Sequence, residues 1–325
     1  MPLRERFTLC REFRKAAGGK SMHVVAIYNN KGGEGKSTVT VGIAEFLAAN
    51  RNKKVLVVDL DAQASSSCAL LGRQSLNAAI REGRTVVDLA AQLKQTRRPS
   101  IDPEQFLVWR AASEARGSAL ESMAMLVPDG DRMYDVESSM VWGKHNHLFR
   151  DWLKPKLTEF DFVLIDLPAN VTKSAMVCVN GLAMSDFVLI PTRSTHISLN
   201  GLPRTFSLID QVRNVNGDGF PTVLGFLLNA TDKRNQQYRS IVRPMVAAST
   251  DGEIPPFFQN HWPASPALEA ATDEDRDART LKERFGNAYD HARKVARELE
   301  VACEKYERTQ VQPIKLSLWQ RLGLA

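Results

Sequence analysis

The chain has 325 residues, 43% of them hydrophobic and 25% charged, which is an ordinary globular composition with enough apolar material for a full core. Lys and Arg number 43 against 37 Asp and Glu, a net charge of +6 that suits a polyanionic partner without demanding one. No apolar run approaches the roughly 18 residues of a membrane span. The four cysteines, Cys10, Cys68, Cys178 and Cys303, form no C-x-x-C pair and read as reduced thiols.

Residues 1–21, MPLRERFTLCREFRKAAGGKS, are basic and lack the apolar core of a signal peptide. They read as an extension, or as the product of a start upstream of Met22. Next comes HVVAIY, a short β-branched run expected to be a buried strand. From residue 37, STVTVGIAEFLAAN has helical spacing at Val41, Ile43, Ala44, Leu47 and Ala48. Between strand and helix lies NNKGGEGKS. Glycines at such a turn permit positive φ and close approach of a ligand, so successive N–H groups can converge at a helix N-terminus. This is a phosphate cradle of Lys31, Gly32, Gly33, Glu34, Gly35, Lys36, Ser37 and Thr38. Lys36 is placed for the β- and γ-phosphates of a nucleotide, and the Ser37 hydroxyl for Mg2+. The general G-x-x-x-x-G-K-[ST] pattern is met only in part, because Asn30 occupies its first glycine position.

The run KGGEGKST resembles the deviant phosphate loop, KGGxGK[ST], of the ParA/MinD family of ATPases. That resemblance implies that Lys31 crosses a homodimer interface to the nucleotide of the partner subunit. Glu34 departs from the family, which has a small or apolar residue there. A second apolar run, KVLVVDLDAQ, ends in Asp59 and Asp61, whose alternation puts both carboxylates on one side of a strand end. It resembles the family's D-x-D-x-Q segment, which implies that Asp61 orients the attacking water and Asp59 supports the Mg2+ hydration shell. Ala62 replaces the usual proline.

Residues 72–154 form a segment longer than the family core requires. Within it, 76–95 reads as helical, 97–105 as a loop, 122–131 as a strand and turn, and 147–157 as a helix interrupted by Pro155. His145 and His147 read as surface residues. FDFVLIDLPAN is a buried strand ending in Asp166, which resembles a Walker B acid holding Mg2+, with 167–170 as switch II. Residues 185–202 read as a strand and a loop into a helix, 222–242 begin with a strand ending at Asn229, and 254–265 read as the last strand and its loop. Asn229 is either an adenine contact, as in relatives, or a turn residue. Arg234, Arg239 and Arg243 are the basic cluster proposed for nonspecific DNA. A second basic face comprises Lys282, Arg284, Arg293, Lys294 and Arg297.

The spacing of Leu281, Phe285, Ala288, Ala292, Val295, Leu299, Ala302 and Tyr306 predicts one long amphipathic helix docked on its own domain. The tail PIKLSLWQRLGLA places Ile314, Leu318, Trp319 and Leu322 on one face, resembling the membrane-surface helix of MinD relatives. Strand–helix alternation predicts a doubly wound, mostly parallel α/β sheet. The expected organisation is an extension at 1–21, an ATPase domain at 22–309 and a tail at 310–325. The resemblance implies a cytoplasmic, nucleoid-associated Mg-ATPase of weak turnover. It would dimerise with ATP, bind nonspecific DNA and answer to a ParB-like adaptor while positioning a plasmid or other cargo. A membrane-surface positioning ATPase is the alternative.

Overall fold

Strands covered on both faces read as unbroken apolar strings. His23–Ile27 (β1), Val55–Asp59 (β2) and Phe162–Asp166 (β5) are buried along their whole length. With Val108–Arg110 (β3), Met123–Leu126 (β4), Phe187–Arg193 (β6) and Thr222–Asn229 (β7) they form one seven-stranded sheet of order β3-β4-β2-β5-β1-β6-β7. All neighbours are parallel except the antiparallel β3–β4 pair. The computed structural model describes residues 21–95, 101–110, 122–169, 176–230, 236, 238–252, 254–270 and 280–308. The leader, Arg234 and the tail lie outside the described residues.

The α-helices are α1 (Lys36–Arg51), α2 (Ser65–Leu71), α3 (Arg73–Arg81), α4 (Val86–Gln95), α5 (Met133–Ser139), α6 (Met176–Met184), α7 (His196–Leu199), α8 (Leu202–Asn216), α9 (Arg243–Thr250), α10 (Pro266–Glu269), α11 (Leu281–Phe285) and α12 (Tyr289–Arg308). One apolar cluster joins one sheet face to α1, α2, α3, α11 and α12. A second joins the opposite face to α4, α5, α6, α8 and α9. The sheet is thus covered on both sides, as a doubly wound fold requires. Among the described residues no helix is long and apolar enough to cross a membrane. Cys68, Cys178 and Cys303 are buried.

Three expectations need correction. The helical stretch at 76–95 is two helices, because Gly83 takes φ 67° between α3 and α4. The C-terminal helix is broken too: Gly286, at φ 49°, separates α11 from α12. Its apolar stripe nonetheless docks on the domain's own α1, with Phe285 and Tyr289 against Phe46. Residues 254–265 form no strand. An isolated parallel bridge links Phe257 to Phe226, because Pro255 and Pro256 have no N–H to continue a ladder. The sequence pattern does not announce the edge strand β3.

Arg284 also leaves its expected place on a basic surface. It is buried, and its Nη1 donates to Glu45 Oε1 at 2.8 Å. Arg110 of β3 lies 3.1 Å from the same fully buried carboxylate on α1. Removing one member of a buried ion network leaves an uncompensated charge. Arg284→Met is expected to destabilise the chain by about 3–5 kcal/mol, and Glu45→Gln in that background should recover part of it. Urea unfolding of the two variants checks both outcomes.

Candidate nucleotide site

The site lies at the carboxyl ends of the strands, where β1 runs between β5 and β6 and the strand order reverses. Leaving β1, the chain passes Asn29, fully buried, whose Nδ2 donates to Pro191 O at 2.8 Å and whose Oδ1 accepts the Lys31 N–H at 3.0 Å. The Asn30 N–H donates to Thr205 Oγ1 at 3.0 Å. These bonds fix the entry to the loop. Gly33 and Gly35 then take φ 76° and 83°, the left-handed region glycine favours, and Gly35 caps α1. A Cβ on Gly35 would overlap the Asn229 amide.

Lys36 is buried and points into the cradle, its Nζ donating to Lys31 O at 3.2 Å. Burial pulls its ammonium below the usual lysine range, against the nearby carboxylates of Asp166 and Asp61, which favour the charge. Lys31 points to the rim, with 28% of its side chain exposed, 3.1 Å from Glu34 Oε1 and 3.1 Å from Ser198 Oγ. Ser37 and Thr38 begin α1 behind Lys36 and are half-buried.

The three carboxylates meet at the ends of β2 and β5, where Asp59 and Asp166 stand in register on adjacent strands. Asp59 is buried, and its Oδ2 accepts the Ser67 N–H at 3.0 Å and the Ser67 hydroxyl at 2.7 Å. Burial raises its carboxyl above the usual range, and the Ser67 bonds oppose that rise. Asp166 is raised further, by burial first and then by the Asp59 charge, with Ser37 and Lys36 pulling down. Among the described residues neither Asp166 oxygen has a hydrogen-bond partner. Asp61 is less buried. Its N–H donates to Asp59 Oδ1 at 3.1 Å, and its Oδ1 accepts the Gln63 N–H at 3.0 Å.

Two unpartnered carboxylate oxygens beside a serine hydroxyl are a donor set for a hard divalent cation. Among the described residues no group of three or more His, Cys, Asp or Glu could hold a metal by itself. A cation here would complete its shell with water and phosphate oxygens, as Mg2+ ordinarily does.

Asn229, at the end of β7, donates its amide to Glu34 O at 2.7 Å and so braces the phosphate loop. Arg239 and Arg243 are exposed, on the turn Tyr238–Val242 and at the start of α9. His145 accepts the Val141 N–H in an exposed bond, and His147 is half-buried, with Nε2 2.9 Å from Asn216 Oδ1. Ser67, Ser198 and Thr205 are not legible in the sequence, since isolated hydroxyls carry no signature. Glu34 is conspicuous there, but its environment is not: it is buried, and its Oε2 accepts the Arg193 N–H at 2.6 Å.

A glycine loop between strand and helix, with a lysine inside it and carboxylates at the neighbouring strand ends, defines a P-loop nucleoside triphosphatase. The AAA domain family model matches residues 22–218, and the chain belongs to that family, as a P-loop ATPase of the ParA/MinD type. It is 28% identical to the chromosome partitioning protein ParA of Myxococcus xanthus over 214 residues, 65% of this chain and 66% of that protein. The chain spans 76% of an uncharacterized relative from Methanocaldococcus jannaschii, but only 63%, less than two thirds, of two from Mycobacterium tuberculosis. Its fold is similar to that of cobyrinic acid a,c-diamide synthase from Mycobacterium smegmatis with bound ATP analogue and magnesium. That likeness has TM-score 0.64 at 19% identity and covers 91% of this chain and 99% of that one. It is also similar to an aspartate-to-alanine variant of Cyanothece McdA in complex with ATP, with TM-score 0.62 at 18% identity over 91% and 100% of the two chains.

The raised carboxyls set a pH dependence. An acid with a raised folded-state pKa holds a proton that the unfolded chain gives up, so the native state binds more protons and its stability falls as pH rises. For Asp59 and Asp166 the loss runs upward from the ordinary carboxylate range of about 4 toward neutrality. Without metal the melting temperature should therefore decline between pH 5 and pH 8, each pH being approximate and set by that range. Mg2+ with nucleotide should reverse the decline, and Asp166→Asn should abolish the reversal. Thermal scans across pH, with and without Mg-ATP, decide it.

Proposed function

We propose that this chain is a ParA-like dimerising ATPase that binds nonspecific DNA in its ATP state and positions a plasmid, chromosome region or other cargo. The carrying observation is the division of labour between two lysines on one loop. Lys36 is buried in the cradle, while Lys31 is 28% exposed on its rim. On this reading one cation would serve the chain's own phosphates, and the other, nearer the surface, would reach a second copy once released from Glu34.

On this reading the backbone of residues 31–38 holds ATP, and Asn229 keeps the loop in shape from the base side. Ser37 and Asp166 would hold Mg2+, with Asp59 ordering its water; the ion supplies charge neutralisation at the phosphates. Asp61, the least buried acid, orients the attacking water. Lys36 and the partner copy's Lys31 neutralise charge as it develops on the phosphoryl oxygens, the electrostatic part that an arginine finger supplies elsewhere. Relatives carrying ParA and Soj names support the partition reading. Turnover is slow until an adaptor protein of the ParB kind binds. Arg239, Arg243 and Arg234 offer phosphate contacts, together with the exposed Lys282, Arg293, Lys294 and Arg297. The chain would then reside in the cytoplasm on the nucleoid.

Asp61→Ala should hold ATP without hydrolysing it and so freeze the DNA-binding state. Tight binding to nonspecific duplex DNA is expected with ATP and not with ADP. Its affinity should fall steeply with salt, as phosphate-directed binding does. Absence of DNA binding in both nucleotide states would sink this reading and turn attention to vesicles of anionic lipid and residues 313–325.

A further inference from the structure

The phosphate loop carries a carboxylate, and that carboxylate is not turned to solvent. Glu34 is 1% exposed. A buried carboxylate must be compensated, by hydrogen bonds and by a cation. Glu34 has both. Oε2 accepts the Arg193 N–H at 2.6 Å, at the end of β6, and Oε1 lies 3.1 Å from Lys31 Nζ. The Glu34 main chain is pinned as well, its carbonyl accepting the Asn229 amide at 2.7 Å. The acid is therefore anchored to two strand ends that do not belong to the loop.

The cation is the more exposed member of this pair, with 28% of its side chain accessible against 1% for Glu34. Lys31 Nζ is shared between Glu34 and Ser198 Oγ, and the lysine stem lies against Gly201, whose added Cβ would stand 3.3 Å from Lys31 Cβ. A side chain held at its amine by an ion pair to Glu34 of its own loop and a hydrogen bond to Ser198 of α7 cannot at the same time extend to another copy.

We infer that Glu34 is an intramolecular latch: it holds Lys31 on its own subunit and so sets the threshold at which ATP drives two copies together. The inference rests on the dimerising reading proposed above. Phosphate charge in the cradle opposes the Glu34 carboxylate and competes for cations, so ATP itself weakens the latch. Glu34 acts through Lys31 and touches no reacting atom, which makes it a positioning residue.

A protein whose competent state is only partly populated binds with its intrinsic affinity reduced by that fraction. With the latch closed about nine tenths of the time, each subunit contributes a factor of about ten. Glu34→Gln keeps an acceptor for the Arg193 N–H and removes the charge that holds Lys31. Glu34→Asp keeps the charge on a shorter arm. Dimer dissociation constants are measured by sedimentation with ATP in the Asp61→Ala background, and the affinity of each monomer for ADP is measured by titration.

Glu34→Gln is expected to tighten the ATP dimer about a hundredfold, one factor of about ten per subunit, and at least about tenfold more than it tightens ADP binding, with Glu34→Asp between wild type and Gln. An equal gain in dimer and ADP affinity would mean that Glu34 simply repels phosphate, and would overturn the latch. So would a normal ATP dimer unaffected by either substitution, with the dimerising reading left intact. Monomers in ATP for every variant, despite normal ADP binding, would overturn the dimerising reading and the latch with it.

Discussion

Two carboxylates of like charge are buried side by side at the ends of adjacent strands, and the site is organised around that constraint. Asp59 and Asp166 are in register across the β2–β5 pair, and both are almost wholly inaccessible. Fixed donors from α2 satisfy the first, through Ser67. The second is left with its oxygens bare among the described residues. Such an arrangement persists in a folded protein because the rest of the structure holds it, and it is relieved by positive charge. Lys36 supplies one part of that charge, and a divalent ion would supply the rest.

The same region joins elements that are distant in sequence. β1 stands beside both β5 and β6, so the loop leaving it is bordered by Asp166 on one side and by the chain after β6 on the other. Asn29 reaches Pro191, Asn30 reaches Thr205, and Glu34 reaches Arg193 and Asn229. The loop is therefore not a free glycine-rich turn. Its conformation is set from two strand ends, those of β6 and β7, and from α8. Behind it, α1 is held by α12 on its apolar side and by the Glu45–Arg284 pair within that packing.

Much of this is legible in the sequence where one chemical demand needs one local pattern. The run KGGEGKS between an apolar strand and an amphipathic helix announces its geometry, because glycine at 33 and 35 is required by positive φ. The acids at 59, 61 and 166 are legible because each ends an apolar string. What is not legible depends on partners far along the chain. β3 is only three residues long, and its place beside β4 is decided by tertiary packing such as Trp109 stacked on Phe160. The stripe at 281–306 keeps its spacing across Gly286 although the backbone does not continue as one helix. Arg284 looks like a surface cation because sequence spacing cannot reveal a buried carboxylate on α1. Glu34 looks like an intrusion because its partners, the Arg193 amide and the Lys31 amine, come together only when β6 is in place.

The extended segment after α9 has a further consequence. The Phe226 N–H donates to Pro256 O at 2.8 Å, the Phe258 N–H to Phe226 O at 2.9 Å and the Trp262 N–H to Leu228 O at 2.7 Å. Gly225 permits this close approach, since a Cβ there would overlap the Pro256 carbonyl. The outer side of β7 is thereby occupied by chain that cannot itself be extended. At the opposite margin β3 is too short to template another strand, and Lys54 lies 4.7 Å over its Trp109 ring. Among the described residues both sheet margins are blunted against strand addition. A contact between copies would then fall to loops and side chains, which bound charge can rearrange, and not to a backbone ladder, which it cannot.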